Sequence, residues 1–478
     1  MLNFAPYHRR YGQLHSGNLF GDRRIASRYA QLFTRMSSRP GVILHQLSQT
    51  YAEEAAYYRL LANKRFSFED ILRSEGLSME RSCIDRHVLV LGDSTEIRLE
   101  TKADHYEDKE SIGYLSSNSN RGLLAHPSIA LDADNLWVLG LCDLLIWGRP
   151  KAKQKKTTTL RDSLPLEEKE SYKWFLGVKG SEEVLAQAKQ ITYVFDREAD
   201  ILSLFHQIDE QDSEFVIRIK HDRKLLDGKT KISEVLAQSP HRSQRELFIR
   251  GGKSRKNAYG RQIKGRSQRR AKLDICYQQI QLSKSKRPYY VLDVLESSDS
   301  LPQGEAPIHW RILTSHTINS PSDAWKILAF YAHRWLIEEL FRIVKSKGFQ
   351  LESVQVRSLS SVRKIIAMTM AAGLKVLQLS LAKSQQTQLP IELIFSKQEI
   401  FVLKLLSTKL EGKTEKLKNP YPDKYLIFAY WVFARLGGWK GYLKKRPPGP
   451  ITLLRGVNRF EQFLQSFQFF NQLDVWEP

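Results

Sequence analysis

The stretch Tyr331-Ala-His-Arg334-Trp-Leu-Ile-Glu338-Glu-Leu-Phe-Arg-Ile-Val-Lys345 decides how this chain reads. It contains no Pro or Gly and predicts a helix, on which spacings of three, four and seven stack Tyr331, Arg334, Glu338 and Lys345 on one face. At roughly 100° per residue, Lys345 drifts only about 40° from Tyr331. Ile337, Leu340 and Val344 form a neighbouring apolar stripe that would dock the helix on a core. A carboxylate flanked by two cations and a phenol, beside a buried seam, suits a site for metal and phosphate. An ordinary surface pair of Arg334 and Glu338, worth about 0.2–0.5 kcal/mol, accounts for the same pattern, although the base precedes the acid, the poorer order for the helix dipole. On these residues alone both readings stand.

The rest of the chain weighs on that choice. Its 478 residues exceed one ordinary core and imply several domains, and 42% hydrophobic residues with 9 Trp suffice for packed interiors. A formal charge of +22 favours a polyanionic partner: DNA, RNA or an anionic membrane. No apolar run is read as reaching the roughly 18 residues that span a bilayer. Met1-Leu-Asn-Phe is not followed by a signal segment, so membrane binding ranks last and a cytoplasmic protein is expected. Cys83, Cys142 and Cys276 are far apart, with no zinc-like spacing, and read as reduced cysteines.

Residues 1–78 read as a helical unit. Asp22 is a candidate N-cap, Ile25, Tyr29, Leu32, Phe33 and Met36 recur at helical spacing, and Arg24, Arg28 and Arg35 fall on another face. Further helices are expected over Tyr51–Leu61 and after Phe66-Ser67-Phe68. His87-Val-Leu-Val-Leu-Gly-Asp93 then reads as a buried strand ended by a turn, followed by strands near Leu123–Leu131 and Trp137–Trp147, a polar loop at Lys151–Thr159, and a helical segment over Glu167–Gln190. Ile191-Thr-Tyr-Val-Phe-Asp196 is another strand, with a helix expected to open at Arg197. Residues 213–318 are β-rich and include the run Arg250–Lys272, which holds ten Lys or Arg and no acid. That run is a basic hairpin facing a nucleic acid or a solvated segment. A long helix at Ser360–Ala382 and a helical remainder complete the chain.

Asp93 and Asp196 each end a strand, and Glu338 sits on a late helix. Turn and cap roles explain the two aspartates singly, a cap being worth about 1 kcal/mol. Together the three acids match phosphoryl transfer by two metal ions, in which carboxylates from different elements converge on ions roughly 3.5–4 Å apart. The order strand–strand–strand–helix–strand–helix is that of a ribonuclease-H-like core.

With these residues in view, the chain resembles the bacterial cut-and-paste DDE transposases of the insertion-sequence-four family. The resemblance rests on Gly92-Asp93-Ser94-Thr95, Asp196-Arg-Glu-Ala-Asp200, the Tyr331/Arg334/Glu338/Lys345 signature and the intervals between them. Gly21-Asp-Arg-Arg24, Ala52-Glu-Glu-Ala-Ala-Tyr57 and Ala434-Arg-Leu-Gly-Gly438 extend it over nearly the whole chain. It implies that Asp93, Asp196 and Glu338 bind two Mg²⁺ ions, with Mn²⁺ as a substitute, and that Tyr331, Arg334 and Lys345 contact transposon-end phosphates. It further implies that Trp310, within Glu305-Ala-Pro-Ile-His-Trp310, pockets a flipped base with help from Trp335, and that Arg218 and Lys220 contact the backbone. An interior Trp at a strand start explains Trp310 equally.

The expectation is therefore an α/β chain. A ribonuclease-H-like core over 79–385, interrupted by a β-rich insertion at 213–318, lies between an N-terminal DNA-end-binding helical domain (1–78) and a C-terminal helical dimerisation domain (386–478). Its partners would be double-stranded DNA, as terminal inverted repeats and target, and a second copy in a synaptic complex, at the bacterial nucleoid. The chemistry would be nicking, hairpin formation and opening, and strand transfer. The rivals are a nuclease of the same core without strand transfer and a non-catalytic DNA-binding regulator.

Overall fold

The apolar run His87–Gly92 becomes β1, a central strand of a mixed sheet. The computed structural model describes residues 20–99, 106, 108, 111–116, 120–150, 164–249, 251–252, 254–256, 262–263, 265–283, 285–345, 348–383, 389–442 and 448–472. The loop expected at Lys151–Thr159 lies outside them, as does part of the basic run Arg250–Lys272.

Four helices precede the sheet: α1 (Arg23–Ser38), α2 (Leu44–Leu47), α3 (Tyr51–Ala62) and α4 (Phe68–Ser82). Asp22 caps α1, its carboxylate accepting the Arg24 N–H at 2.8 Å, and Ser67 with Asp70 forms a reciprocal capping box on α4. After β1 come β2 (Thr95–Arg98), β3 (Gly113–Tyr114), β4 (Arg121–Asp132), β5 (Val138–Trp147), β6 (Gln190–Phe195) and β7 (Glu214–Arg218). β4 pairs antiparallel with β1 and β5, whereas β1, β6 and β7 run parallel, giving the spatial order β5–β4–β1–β6–β7. Parallel neighbours need crossover connections. Helix α5 (Tyr172–Val184) leads into β6, and α6 (Leu202–Glu210) joins β6 to β7. The segment after Asp196 does not open a helix; it makes one 3₁₀ turn, Arg197–Ala199, before α6 begins.

The β-rich segment contains α7 (Ile232–Gln238), β8 (Arg242–Ile249), β9 (Arg255–Lys256), β10 (Gln262–Ile263), β11 (Arg269–Ile280), β12 (Tyr289–Glu296) and β13 (His309–Thr314). Its main strands extend the central sheet in the order β7–β13–β12–β11–β8. β7, counted with the insertion on sequence grounds, pairs parallel with β6 and so belongs to the central run. The short antiparallel ribbon β9–β10 lies within the basic run.

Alternation with period two sorts the central strands between two cores. Leu89, Leu91, Val194 and Val216 join one cluster, while Val88, Val90, Tyr193, Phe195, Phe215 and Ile217 join the other with Trp174 and Val178 of α5 and Phe205 and Ile208 of α6. The first cluster also takes in α8 (Pro321–His333), α9 (Trp335–Val344) and α10 (Leu359–Leu381). Ile25, Tyr29, Leu32 and Tyr57 of the N-terminal helices belong to it too, so that unit shares its interior with the sheet. A third cluster joins α11 (Lys397–Leu410), α12 (Leu426–Leu436) and α13 (Pro450–Gln472) to the end of α10.

Two sequence expectations are corrected here. Tyr331–Lys345 is not one helix: α8 ends at His333 and α9 begins at Trp335. Arg334 between them stays right-handed (φ −49°, ψ −32°), but its N–H bonds to the Tyr331 carbonyl and its own carbonyl accepts from Ile337, a tightened i,i+3 pattern that no Pro or Gly announces. Second, α10 is long and apolar enough, by length and composition alone, to cross a membrane; its most apolar window is 89% buried inside the fold, as in the core helix of a packed domain.

Gly373 sets how closely α10 approaches α9. A Cβ there would lie 2.9 Å from Val344 Cγ1 and 3.0 Å from Leu340 Cδ1. Gly373→Leu is therefore expected to overpack this seam and lower unfolding free energy by about 1–3 kcal/mol, read from the urea midpoint. A midpoint at the wild-type value would show that the seam is not close-packed.

Candidate active site

The parallel register of β1 and β6 positions the first two acids. Leu91 pairs with Val194, so two residues further along both strands Asp93 stands across from Asp196, at the carboxyl ends of adjacent strands. Strands lie about 4.8 Å apart, so two like charges are forced into proximity. Gly92, the last residue of β1, leaves room for the Phe195 ring of β6, which a Cβ there would meet at 2.9 Å. Each aspartate also keeps a local backbone partner: Asp93 Oδ1 accepts the Ser94 N–H at 2.7 Å and Asp196 Oδ1 accepts the Glu198 N–H at 2.8 Å. Asp196 is thus a cap, on the 3₁₀ turn Arg197–Ala199 rather than on the expected helix, and among the described residues no backbone N–H bonds its other oxygen.

The third acid arrives on α9. Arg334 Nη1 donates to Asp93 Oδ2 at 2.9 Å and Nη2 donates to Glu338 Oε1 at 2.9 Å, so one guanidinium ties the turn after β1 to the helix. The Arg334/Glu338 pair is real, yet it is not a solvated surface pair: the Arg334, Asp93 and Glu338 side chains are 15%, 22% and 27% exposed. Burial pushes the Asp93 carboxyl up to about 6, and Asp196 and Glu338 add to this while Arg334 and the Ser94 N–H oppose it. Burial likewise raises Asp196, against its bond from Glu198 N–H and the charges of Arg334 and Lys173. Burial disfavours the Arg334 charge, but Tyr331, Asp93 and Glu338 outweigh it and hold the guanidinium above its usual range.

The remaining expected residues divide. Tyr331, buried on α8, meets the half-buried Trp310 of β13 edge-on, with ring centroids 5.3 Å apart. Burial raises the Tyr331 phenol, and the opposing charges of Arg334 and Arg218 place these groups together. Arg218 also donates to the His309 carbonyl at 3.1 Å. Lys220 is exposed just beyond β7, its backbone N–H held by Asp200 Oδ2 at 2.7 Å. Trp335 is 43% exposed and donates to Glu339 Oε1 at 3.3 Å. Burial lowers the Lys345 amine, on which Glu352, Glu96 and Arg98 also act.

Two residues, His126 and Lys173, escaped the sequence reading. Ser94 Oγ is 3.0 Å from His126 Nδ1, on β4, whose ring meets Trp174 edge-on. Burial, with the charge of Lys173, drives His126 well below the usual imidazole range. Lys173, on α5, is 5% exposed, and its amine lies 3.2 Å from Glu198 Oε2. The available signals were a His inside the apolar run Leu123–Leu131 and a Lys inside the apolar start of α5.

Carboxylate oxygens are the donors that hard divalent cations prefer. Three acids with excess negative charge, two of them already bridged by a cationic side chain, fit such an ion in chemistry. They do not form a ready-made cluster: among the described residues, no three His, Cys, Asp or Glu side chains are grouped to hold one metal ion.

Residues 178–373 match the family model described as a transposase DDE domain. The match covers less than half of the chain, takes in Asp196 and Glu338, and leaves Asp93 and the flanking helices outside. Among solved structures, the chain is similar to the piggyBac transposase synaptic complex with hairpin DNA determined by cryo-electron microscopy. Identity is 9%, the TM-score is 0.36, and the match covers 96% of this chain and 74% of the other.

The raised Asp93 carboxyl gives a signed expectation. A raised folded-state value means folding disfavours ionisation, so Asp93 helps stability at low pH and that help is lost as pH rises through about 6. In chelator, Asp93→Asn is expected to be more stable than wild type above neutral pH by about 1–3 kcal/mol, with the difference closing near pH 4. Chemical denaturation across that range measures it; a pH-independent difference would contradict the assignment.

Proposed function

We propose that this chain is a DNA transposase of the cut-and-paste, insertion-sequence-four type. The observation that carries the reading is the linkage of Asp93 and Glu338 through Arg334, with Asp196 across the β1–β6 register, inside a chain whose residues 178–373 match a transposase DDE domain. The order β5–β4–β1–β6–β7, three antiparallel strands followed by two parallel ones, supports a ribonuclease-H-like core.

In this reading Asp93, Asp196 and Glu338 hold two Mg²⁺ ions, which supply Lewis acidity and an activated attacking oxygen. The protein's own groups position the DNA. Arg334 and Arg218 offer donors to phosphate oxygens, Trp310 and Trp335 offer ring faces to an unstacked base, and Lys220 and Lys345 add cationic charge beside the backbone. Each step exchanges one ester bond at phosphorus. Water displaces a 3′-oxygen to nick the transposon end, the freed 3′-hydroxyl attacks the opposite strand to close a hairpin, water reopens it, and the 3′-hydroxyl joins target DNA. Residues 1–78 would recognise the inverted repeats, the basic run Arg250–Lys272 would hold backbone, and residues 386–478 would pair two copies at the bacterial nucleoid.

The test is incubation of the full chain with the DNA flanking its own coding sequence, Mg²⁺ and a target plasmid. Nicked ends, hairpins and joined donor–target products are expected, and Asp196→Ala should lower end cleavage at least about a thousandfold. Cleavage without joined products would favour a nuclease. Unchanged cleavage by Asp196→Ala would remove the site assignment.

A further inference from the structure

We propose that Arg334 is a gate: in the free protein its guanidinium occupies the carboxylate oxygens that a divalent cation needs, and a DNA phosphate draws it away. The inference rests on the metal-binding reading above and adds a condition to it.

The geometry carries the argument. The two aspartate oxygens that accept backbone N–H groups, Asp93 Oδ1 and Asp196 Oδ1, are fixed by neighbouring residues and need not move. The two oxygens that Arg334 takes, Asp93 Oδ2 and Glu338 Oε1, come from the turn after β1 and from α9. Their only common partner among the described side-chain hydrogen bonds is this guanidinium. Oxygens in contact with Mg²⁺ sit roughly 2.0–2.1 Å from the ion, so an oxygen cannot direct the same lone pair to the ion and to an N–H. Each carboxylate keeps other lone pairs for a cation, but the positive charge of Arg334, 2.9 Å from both, opposes a divalent ion beside them, so both carboxylates bind one tightly only when Arg334 withdraws.

Arg334 is suited to leaving. Its backbone lies at the junction of α8 and α9 rather than inside either helix, and its side chain keeps 15% exposure beside Tyr331, which Trp310 meets edge-on. Arg334, with Lys173 acting on Asp196, sets two positive charges against three carboxylates, which leaves the cluster short of cation. A phosphate offers the planar guanidinium a bidentate partner of at least equal strength. Transfer of Arg334 from carboxylate to phosphate would free Asp93 Oδ2 and Glu338 Oε1 when DNA is in place. Chemistry on DNA that fails to engage Arg334 would then be disfavoured, because the cation site would stay closed.

Manganese binding to the intact chain, followed by the electron paramagnetic resonance signal of free Mn²⁺, tests this without reference to turnover. Wild type alone is expected to bind weakly, and Arg334→Gln, shown folded by its thermal melt, at least about tenfold more tightly. Arg334→Lys, which keeps a competing charge, should resemble wild type, and DNA carrying the flanking end sequence should tighten binding by wild type toward the Arg334→Gln value. If Asp196→Asn abolishes binding in every background but neither Arg334→Gln nor DNA tightens it, the gate is wrong and the metal-binding reading stands. If no variant binds Mn²⁺ in an Asp196-dependent way, with or without DNA, the metal-binding reading falls and the gate with it. Because phosphate oxygens can themselves ligate the ion, the comparison of Arg334→Gln with wild type in the absence of DNA decides the matter, with Arg334→Met in its place if Arg334→Gln does not fold.

Discussion

The parallel pairing of β1 with β6 is the constraint on which the site depends. A parallel ladder brings the carboxyl ends of two strands to one edge, and this register sets Asp93 against Asp196. Burial and mutual repulsion make that arrangement costly, and the raised Asp93 carboxyl expresses the cost. A core that buries Val88, Leu89, Val90 and Leu91 completely holds the two acids together regardless. Positive charge must answer such a pair, and Arg334 brings it from the other side of the chain together with Glu338.

Helix packing controls how that answer is delivered. Ile337, Leu340 and Val344 are fully buried on the face of α9 that meets α10, so the apolar stripe fixes the helix and Glu338 projects from its less buried side. Gly373 allows the approach. The N-terminal helices contribute to the same interior: Lys364 of α10 donates to the Leu61 and Asn63 carbonyls at 2.7 and 3.0 Å. The segment proposed to recognise DNA ends is thus packed directly against the helix that backs the candidate site.

Much of this was legible in the chain. A short apolar run marked β1, strand-like runs marked β4 and β5, and the β-branched and aromatic run Ile191–Phe195 marked β6. The spacing of Arg334 and Glu338 on one helical face anticipated their ion pair. The break at Arg334 was not legible, because it arises from a local i,i+3 hydrogen-bond pattern that helix-forming residues tolerate. Nor was the contact of Arg334 with Asp93, 241 residues away, which only the tertiary fold creates. His126 and Lys173 were hidden because a polar residue inside an apolar run says nothing about what it faces. The position of Lys345 was read from constant angular drift along one uninterrupted helix, whereas the helix breaks at Arg334 and Lys345 follows α9 with an extended backbone.

The central claim is that Asp93, Asp196 and Glu338 surround one cation-binding locus when DNA is bound. Localised backbone scission by Fe²⁺ with ascorbate and peroxide tests it most directly, since hydroxyl radicals cut close to the bound ion. In the presence of end DNA, cuts are expected beside all three residues together, each suppressed by excess Mg²⁺. Scission beside only one of them, or at sites unrelated to all three, would contradict the account.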